Sequence, residues 1–249
     1  MKILVSPAKT MAFDKIPISL HIRMSQPRFE REAGLLNQEL KALDFEALKK
    51  LFKTSAGLTQ KTQDQIRDFT LAAPGPALFV FQGEAFKTMD SRQFAPDQLA
   101  FATKNLQIFS GLYGVLRPMD GIKPYRLDFN TPLCTSSKGL KQFWQEKIVP
   151  CFENQTPKGE VILNLASKEY SSILGTSRLK DQIITLQFRE RVKGVLKNLS
   201  VRAKQARGLF ASQIIQKKIT NPNAVKKISL ADYGYEKDLS SKTEWFFIR

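Results

Sequence analysis

The chain has 249 residues, 42% of them hydrophobic, which is enough apolar surface for one large core; its 2 Cys, 13 Gly and 12 Pro fit neither a disulfide scaffold nor a low-complexity chain. Lys and Arg number 39 against 23 Asp and Glu, a formal charge of +16 at pH 7 that points to a polyanionic partner. No run of 18 apolar residues and no secretory leader occurs, so a cytoplasmic protein without a membrane partner is expected, with Cys134 and Cys151 as reduced thiols; His21 is the sole histidine, and neither a metal nor another cofactor is expected from this inventory.

The N-terminal MKILVS reads as a short strand closed by Pro7. Apolar residues at helical spacing predict helices over 27–43, 45–52, 60–71 and 96–104, while the apolar runs at 77–82 and 106–110 predict buried strands. In the second half a helix is expected over 139–147, a buried strand over 161–165, a strand with alternating faces over 183–191 and its hairpin partner over 194–201. Ala206, Phe210 and Ile214 mark one buried stripe of a helix over 202–218, with Lys204 and Arg207 three apart on another face. Segments 226–233 and 243–248 are expected as a closing pair of strands. Without a repeat, a linker or a compositional boundary, residues 1–249 read as a single compact domain of the mixed α/β (α+β) class, with a central mixed sheet flanked by helices. Three helices before the second strand, and strands bunched near the C-terminus, argue against a regular doubly wound alternation.

The segment 108–129, IFSGLYGVLRPMDGIKPYRLDF, is the most site-like of the chain. Gly111 and Gly114 bracket Leu-Tyr, a spacing that suits a tight turn offering N–H groups to an anion. Pro118 and Pro124 stiffen the frame around Arg117 and Lys123, and Tyr125, Arg126 and Asp128 follow at once. The structural alternative is that Arg117 and Arg126 merely pair with Asp120 and Asp128. Charge concentrates elsewhere: between Gln187 and Lys227 stand eleven basic residues and a single acid, Glu190.

SGLYGVLRPMDGIKPYRLDF resembles the signature of the peroxide-stress protein YaaA family, and SPAKTM (6–11), LNLASKEY (163–170) and KQARG (204–208) resemble further blocks of it in the same order. The chain departs from the family pattern at YRLDFN, where members often read YRLEMG, and at Phe210 and Ser212, where they often carry Met and Arg. The resemblance implies an unusual, family-specific fold and a role in peroxide stress, where members are linked to limiting free iron and so to sparing DNA.

With that resemblance, Lys9, Arg117, Tyr125, Arg126, Lys204 and Arg207 are expected around one basic cleft, with the Gly111 and Gly114 turn beside them. Guanidinium and ammonium groups so placed suit a DNA backbone read without sequence specificity, and Tyr113 and Tyr125 are candidates to stack on exposed bases. A helix-hairpin-helix element, whose turn would hold duplex phosphates, is sought at 108–116 or at 48–69. The competing expectation is an enzyme acting on a phosphorylated small molecule or nucleotide, with Glu84, Asp120, Asp128 or Glu169 as acid, base or divalent-cation ligand. Against it, the chain has no P-loop, Rossmann fingerprint, GxSxG or HExxH. Direct iron storage lacks the Glu-x-x-His pairs of a di-iron bundle, so any effect on iron is expected to be indirect, or exerted by protecting DNA.

Overall fold

The computed structural model describes residues 1–14, 23–135 and 138–249; His21 lies outside the described residues. In chain order the sheet-forming strands are β1 (Lys2–Val5), β2 (Leu106–Ser110), β3 (Gly114–Leu116), β4 (Ile162–Asn164), β5 (Ile183–Val192), β6 (Val195–Lys197), β7 (Gly234–Glu236) and β8 (Glu244–Ile248). The helices are α1 (Glu30–Lys41), α2 (Phe45–Phe52), α3 (Ala56–Arg67), α4 (Ala77–Val80), α5 (Glu84–Met89), α6 (Pro96–Asn105), α7 (Leu140–Gln155), α8 (Lys168–Ser171), α9 (Ser200–Gln216) and α10 (Pro222–Val225).

All eight strands join one mixed sheet in the order β7-β8-β5-β4-β1-β2-β3, with β6 paired to β5. The five central strands are parallel, and antiparallel pairs close the edges. The register puts Ile3, Leu106, Leu163, Leu186 and Phe188 on one face, where Phe188 meets Phe210 of α9 in an edge contact at 4.8 Å. Phe109, of opposite parity, stacks on Phe152 of α7 across the other face at 6.4 Å. The apolar core therefore lies in two layers, one on either side of the sheet.

Five elements differ from the sequence expectation. The run 77–82 is a single helical turn, because Ala77 and Leu78 donate their N–H groups to the Asp120 and Pro118 carbonyls rather than to a sheet ladder. An unbroken apolar run is compatible with either state. The hairpin partner of β5 is confined to Val195–Lys197, since α9 already starts at Ser200. Segment 226–233 is no strand: it ends in a tight turn at Ala231 and Asp232, both at positive φ, and strand pairing begins only at Gly234. The helix expected over 139–147 runs on to Gln155 through Pro150. Finally, the central parallel strands with helices on both faces are closer to a doubly wound core than the helix-first order suggested.

Candidate functional site

The chain leaves β1 through α1–α6 to reach β2 on one side, then returns through α7 to β4 on the other, so β1 and β4 are neighbours whose connections run to opposite sides. Such a switch point opens a crevice beyond the carboxyl ends of parallel strands, the usual ligand site of open α/β sheets. Here it is a cleft of about 400 Å³, built from the segment after β1 (Ser6 to Thr10), the segment after β4 (Leu165 to Tyr170), the start of α5, Asp128, and Lys204 and Arg207 of α9. Ser6 and Ser167 tie the two strand ends together, the Ser167 N–H donating to Ser6 Oγ at 2.8 Å.

The cleft wall is set by a close helix crossing. A Cβ at Gly208 would stand 2.0 Å from the Ala85 carbonyl oxygen and 2.2 Å from Thr88 Oγ1, so only glycine lets α9 lie this near α5. Thr88 Oγ1 donates to the Gln205 carbonyl at 2.9 Å and locks the pair. That crossing, with the buried stripe of Ala206, Phe210 and Ile214 beneath it, aims Lys204 and Arg207 into the cleft.

Its charges divide into two groups. Asp128 is occupied: Lys9 Nζ lies 2.8 Å from its Oδ2, and the Tyr170 hydroxyl donates to Oδ1 at 2.9 Å. Glu84 is occupied as well, accepting from Gln205 Nε2 at 2.8 Å and pairing with Lys87 at 3.4 Å, contacts that hold its carboxyl below the usual range. By contrast Lys204 and Arg207 form no ion pair among the described residues. The Arg207 Nε is buried without a hydrogen-bond partner, and burial, with Arg189 adding repulsion, lowers the guanidinium's proton affinity. A guanidinium nitrogen buried without a partner is costly. Glu169 is half-buried, and its carboxyl is pushed up by burial and then by the nearby charge of Asp128.

Of the residues singled out from sequence, Lys9, Lys204, Arg207, Glu84, Asp128 and Glu169 line this cleft and the rest do not. Asp120 is 1% exposed and bonds the Arg117 backbone N–H at 2.8 Å, its Nε at 3.0 Å and the Ser25 hydroxyl at 2.7 Å. Arg117 is therefore a staple of its own loop. Gly111 and Gly114 turn inward: a Cβ at Gly111 would meet the Leu127 carbonyl at 2.1 Å, Gly114 at φ +68° packs on the Trp144 ring, and the Gly111 carbonyl accepts from Trp144 Nε1. Their turn is buried and joins two strands, so 108–116 is a β-hairpin and not a helix-hairpin-helix. Tyr125 and Tyr113 are core aromatics in edge contact at 5.7 Å, bonded to the Ser110 hydroxyl and the Lys123 N–H, and burial raises both phenols. Neither ring is free to stack on a base. Arg126 alternates with the buried Tyr125 and Leu127, half-exposed and without an ion pair among the described residues; it does not pair with Asp128, whose partner is Lys9. Among the described residues no group of three or more carboxylate, His or Cys side chains gathers around a common point.

The second hairpin candidate, 48–69, is present as α2 and α3 joined by a three-residue turn in which Lys53 adopts φ 50°. Ser55, Ala56, Gly57 and Leu58 are exposed, Ser55 makes no side-chain cap, and Lys50, Lys53 and Lys61 are exposed around them. The open N–H groups of α3 thus face solvent among lysines. No helix among the described residues is long and apolar enough to cross a membrane.

Sequence reasoning missed Ser6, Ser167, Tyr170 and Gln205. The signal for the serines was positional: each follows an apolar strand closely, at Val5 and Asn164, as switch-point residues do.

The chain matches the family model described as peroxide stress protein YaaA over residues 1–239. It is 41% identical to a UPF0246 protein of Desulforapulum autotrophicum, covering 100% of this chain and 99% of that one. It is also 38% identical to a UPF0246 protein of Clostridium botulinum (99% and 98% covered) and 33% identical to one of Crocosphaera subtropica (100% of each). Matched over nearly its whole length by both model and relatives, the chain belongs to the peroxide stress protein YaaA family.

Proposed function

We propose that this protein serves in peroxide stress by binding DNA through backbone phosphates, with little sequence preference. The observation that carries the reading is a pair of cations without an ion pair among the described residues, Lys204 and Arg207, at the switch-point cleft. The exposed α2–α3 hairpin supplies a second phosphate contact of a different kind, backbone N–H groups flanked by Lys50, Lys53 and Lys61. The cleft, at about 400 Å³, is too small for a duplex, so the helix lies across it and presents phosphate to it. Phosphates covered in this way are withdrawn from iron cations, which connects binding to reduced iron-dependent damage without iron being held by the protein.

The test is fluorescence anisotropy with a labelled duplex across a salt series. Binding should weaken linearly with log salt, and Lys204→Ala should reduce the slope by about one while weakening all sequences alike. Salt-insensitive binding, or binding indifferent to both Lys204→Ala and Lys53→Glu, overturns the reading.

A second reading, turnover of a phosphorylated nucleotide in the same cleft, is favoured by one observation: Glu169 is a half-buried carboxyl with raised proton affinity beside two cations. A new resonance in phosphorus NMR of a nucleotide incubated with the protein, absent with Glu169→Gln, would establish it.

A further inference from the structure

The charge balance of the cleft says more than that it attracts phosphate. Four cations, Lys9, Lys87, Lys204 and Arg207, face three carboxylates, Glu84, Asp128 and Glu169. Two of the carboxylates are consumed by ion pairs, Glu84 with Lys87 and Asp128 with Lys9, and each has a further hydrogen-bond donor, Gln205 and Tyr170. Those pairs cancel internally. What remains is Lys204 and Arg207, one helical turn apart on α9, and Glu169, the one carboxyl of the cleft without an ion pair among the described residues. Two cations outside the ion pairs suit a phosphate, and a terminal phosphomonoester offers them three free oxygens where a backbone phosphodiester offers two.

Size and lining agree. A space of about 400 Å³ is that of a small-molecule pocket. Its lining also includes the apolar Pro7, Ala8, Ala85 and Leu165, a surface for a flat base or a sugar edge. Arg207 also has a buried Nε that no described residue hydrogen-bonds, and a planar guanidinium fits two phosphate oxygens at once.

We propose that the cleft is a pocket for a single nucleotide bearing a phosphomonoester, with the dianion seated between Lys204 and Arg207. The nucleotide is either free or the phosphorylated end of a DNA strand; both present the same chemistry. This rests on the cleft being a phosphate site, but not on duplex binding by the α2–α3 hairpin.

Isothermal titration of the full chain distinguishes these. Thymidine 5′-monophosphate should bind at least about tenfold more tightly than thymidine, and Lys204→Ala should remove that advantage. Lys204 is exposed, so its truncation does not threaten folding; Arg207→Lys, which keeps the charge but loses the fork, should show an intermediate loss. Equal binding of nucleotide and nucleoside, or nucleotide binding indifferent to Lys204→Ala, overturns the proposal. A hairpin duplex with a 5′-phosphate that outcompetes the free nucleotide assigns the pocket to strand ends, and the reverse order assigns it to free nucleotide. A covalently closed dumbbell duplex separates the two claims: if it binds while the monophosphate does not, the pocket fails and the DNA reading stands, and the opposite result fails the DNA reading alone.

Discussion

The loop 108–129 and the cleft at the carboxyl ends of β1 and β4 contain similar residues in opposite states. In the loop the buried polar groups have protein partners: Asp120 holds Arg117 and Ser25, Ser110 holds Tyr125, and Tyr113 receives the Lys123 N–H; Arg126, half-exposed, is the exception. In the cleft Arg207 has a buried nitrogen with no partner and Lys204 no ion pair among the described residues. Density of arginine, tyrosine and glycine does not separate a site from a structural knot, whereas an unmet valence does. Folding has already used the loop's interactions, while the cleft's remain available to a ligand.

The sharpest way to break this contrast is Asp120→Ala. It strands a half-exposed Arg117, a backbone N–H and the Ser25 hydroxyl, and should cost about 3 kcal/mol in chemical denaturation. Anisotropy normalised to folded protein should show unchanged DNA affinity. Weakened DNA binding with stability intact would make the loop a site after all.

Next in size is Gly208→Ala, where the new methyl meets the α5 backbone and forces α9 away from it. A loss of about 2 kcal/mol is expected, as for other overpacked cores. Unlike Asp120→Ala, it should also weaken DNA and nucleotide binding, because the same crossing positions Lys204 and Arg207. Unchanged affinity would mean that the crossing does not set the site.

These two variants also show what the sequence carried. The strand with alternating faces at 183–191 and the stripe of Ala206, Phe210 and Ile214 were legible because burial imposes a period of two or of 3.6 on the residues themselves. The turn at 77–82 was not, since its state is decided by carbonyls of Pro118 and Asp120 some forty residues away. The same limit governs the site. Lys9, Lys204 and Arg207 stood out as basic residues in distinctive blocks, but Arg117 stood out equally, and only the fold shows that its charge is taken by Asp120. Pairing is a property of three-dimensional neighbours, so sequence can nominate charged residues but cannot tell which are spent.

Arg207→Met tests the unmet valence directly. Removing an unpaired buried cation while keeping the apolar stem should raise stability by about 1 kcal/mol, read as an increase in denaturation midpoint, and should lower affinity for DNA and nucleotide. A stabilised protein that no longer binds is the signature of a residue held for function. A variant less stable than the parent would place Arg207 with the structural residues of the loop.

The smallest effect belongs to Glu169. Burial, then Asp128, raises its carboxyl in the folded chain above the ordinary glutamate value, so the folded state binds the proton more tightly than the unfolded state does. The resulting stability is fully present below the unfolded value and is lost as the pH climbs through the raised one. Because the carboxyl is half-exposed, solvent screening keeps this loss small. Glu169→Gln, neutral at every pH, should flatten that part of the stability profile. The same variant should flatten a tightening of DNA binding as the pH falls through this window, because the phosphodiester itself does not titrate there. A pH profile of duplex affinity identical in parent and variant would leave Glu169 outside the electrostatics of the cleft, and would reduce the contrast between cleft and loop to the two cations of α9.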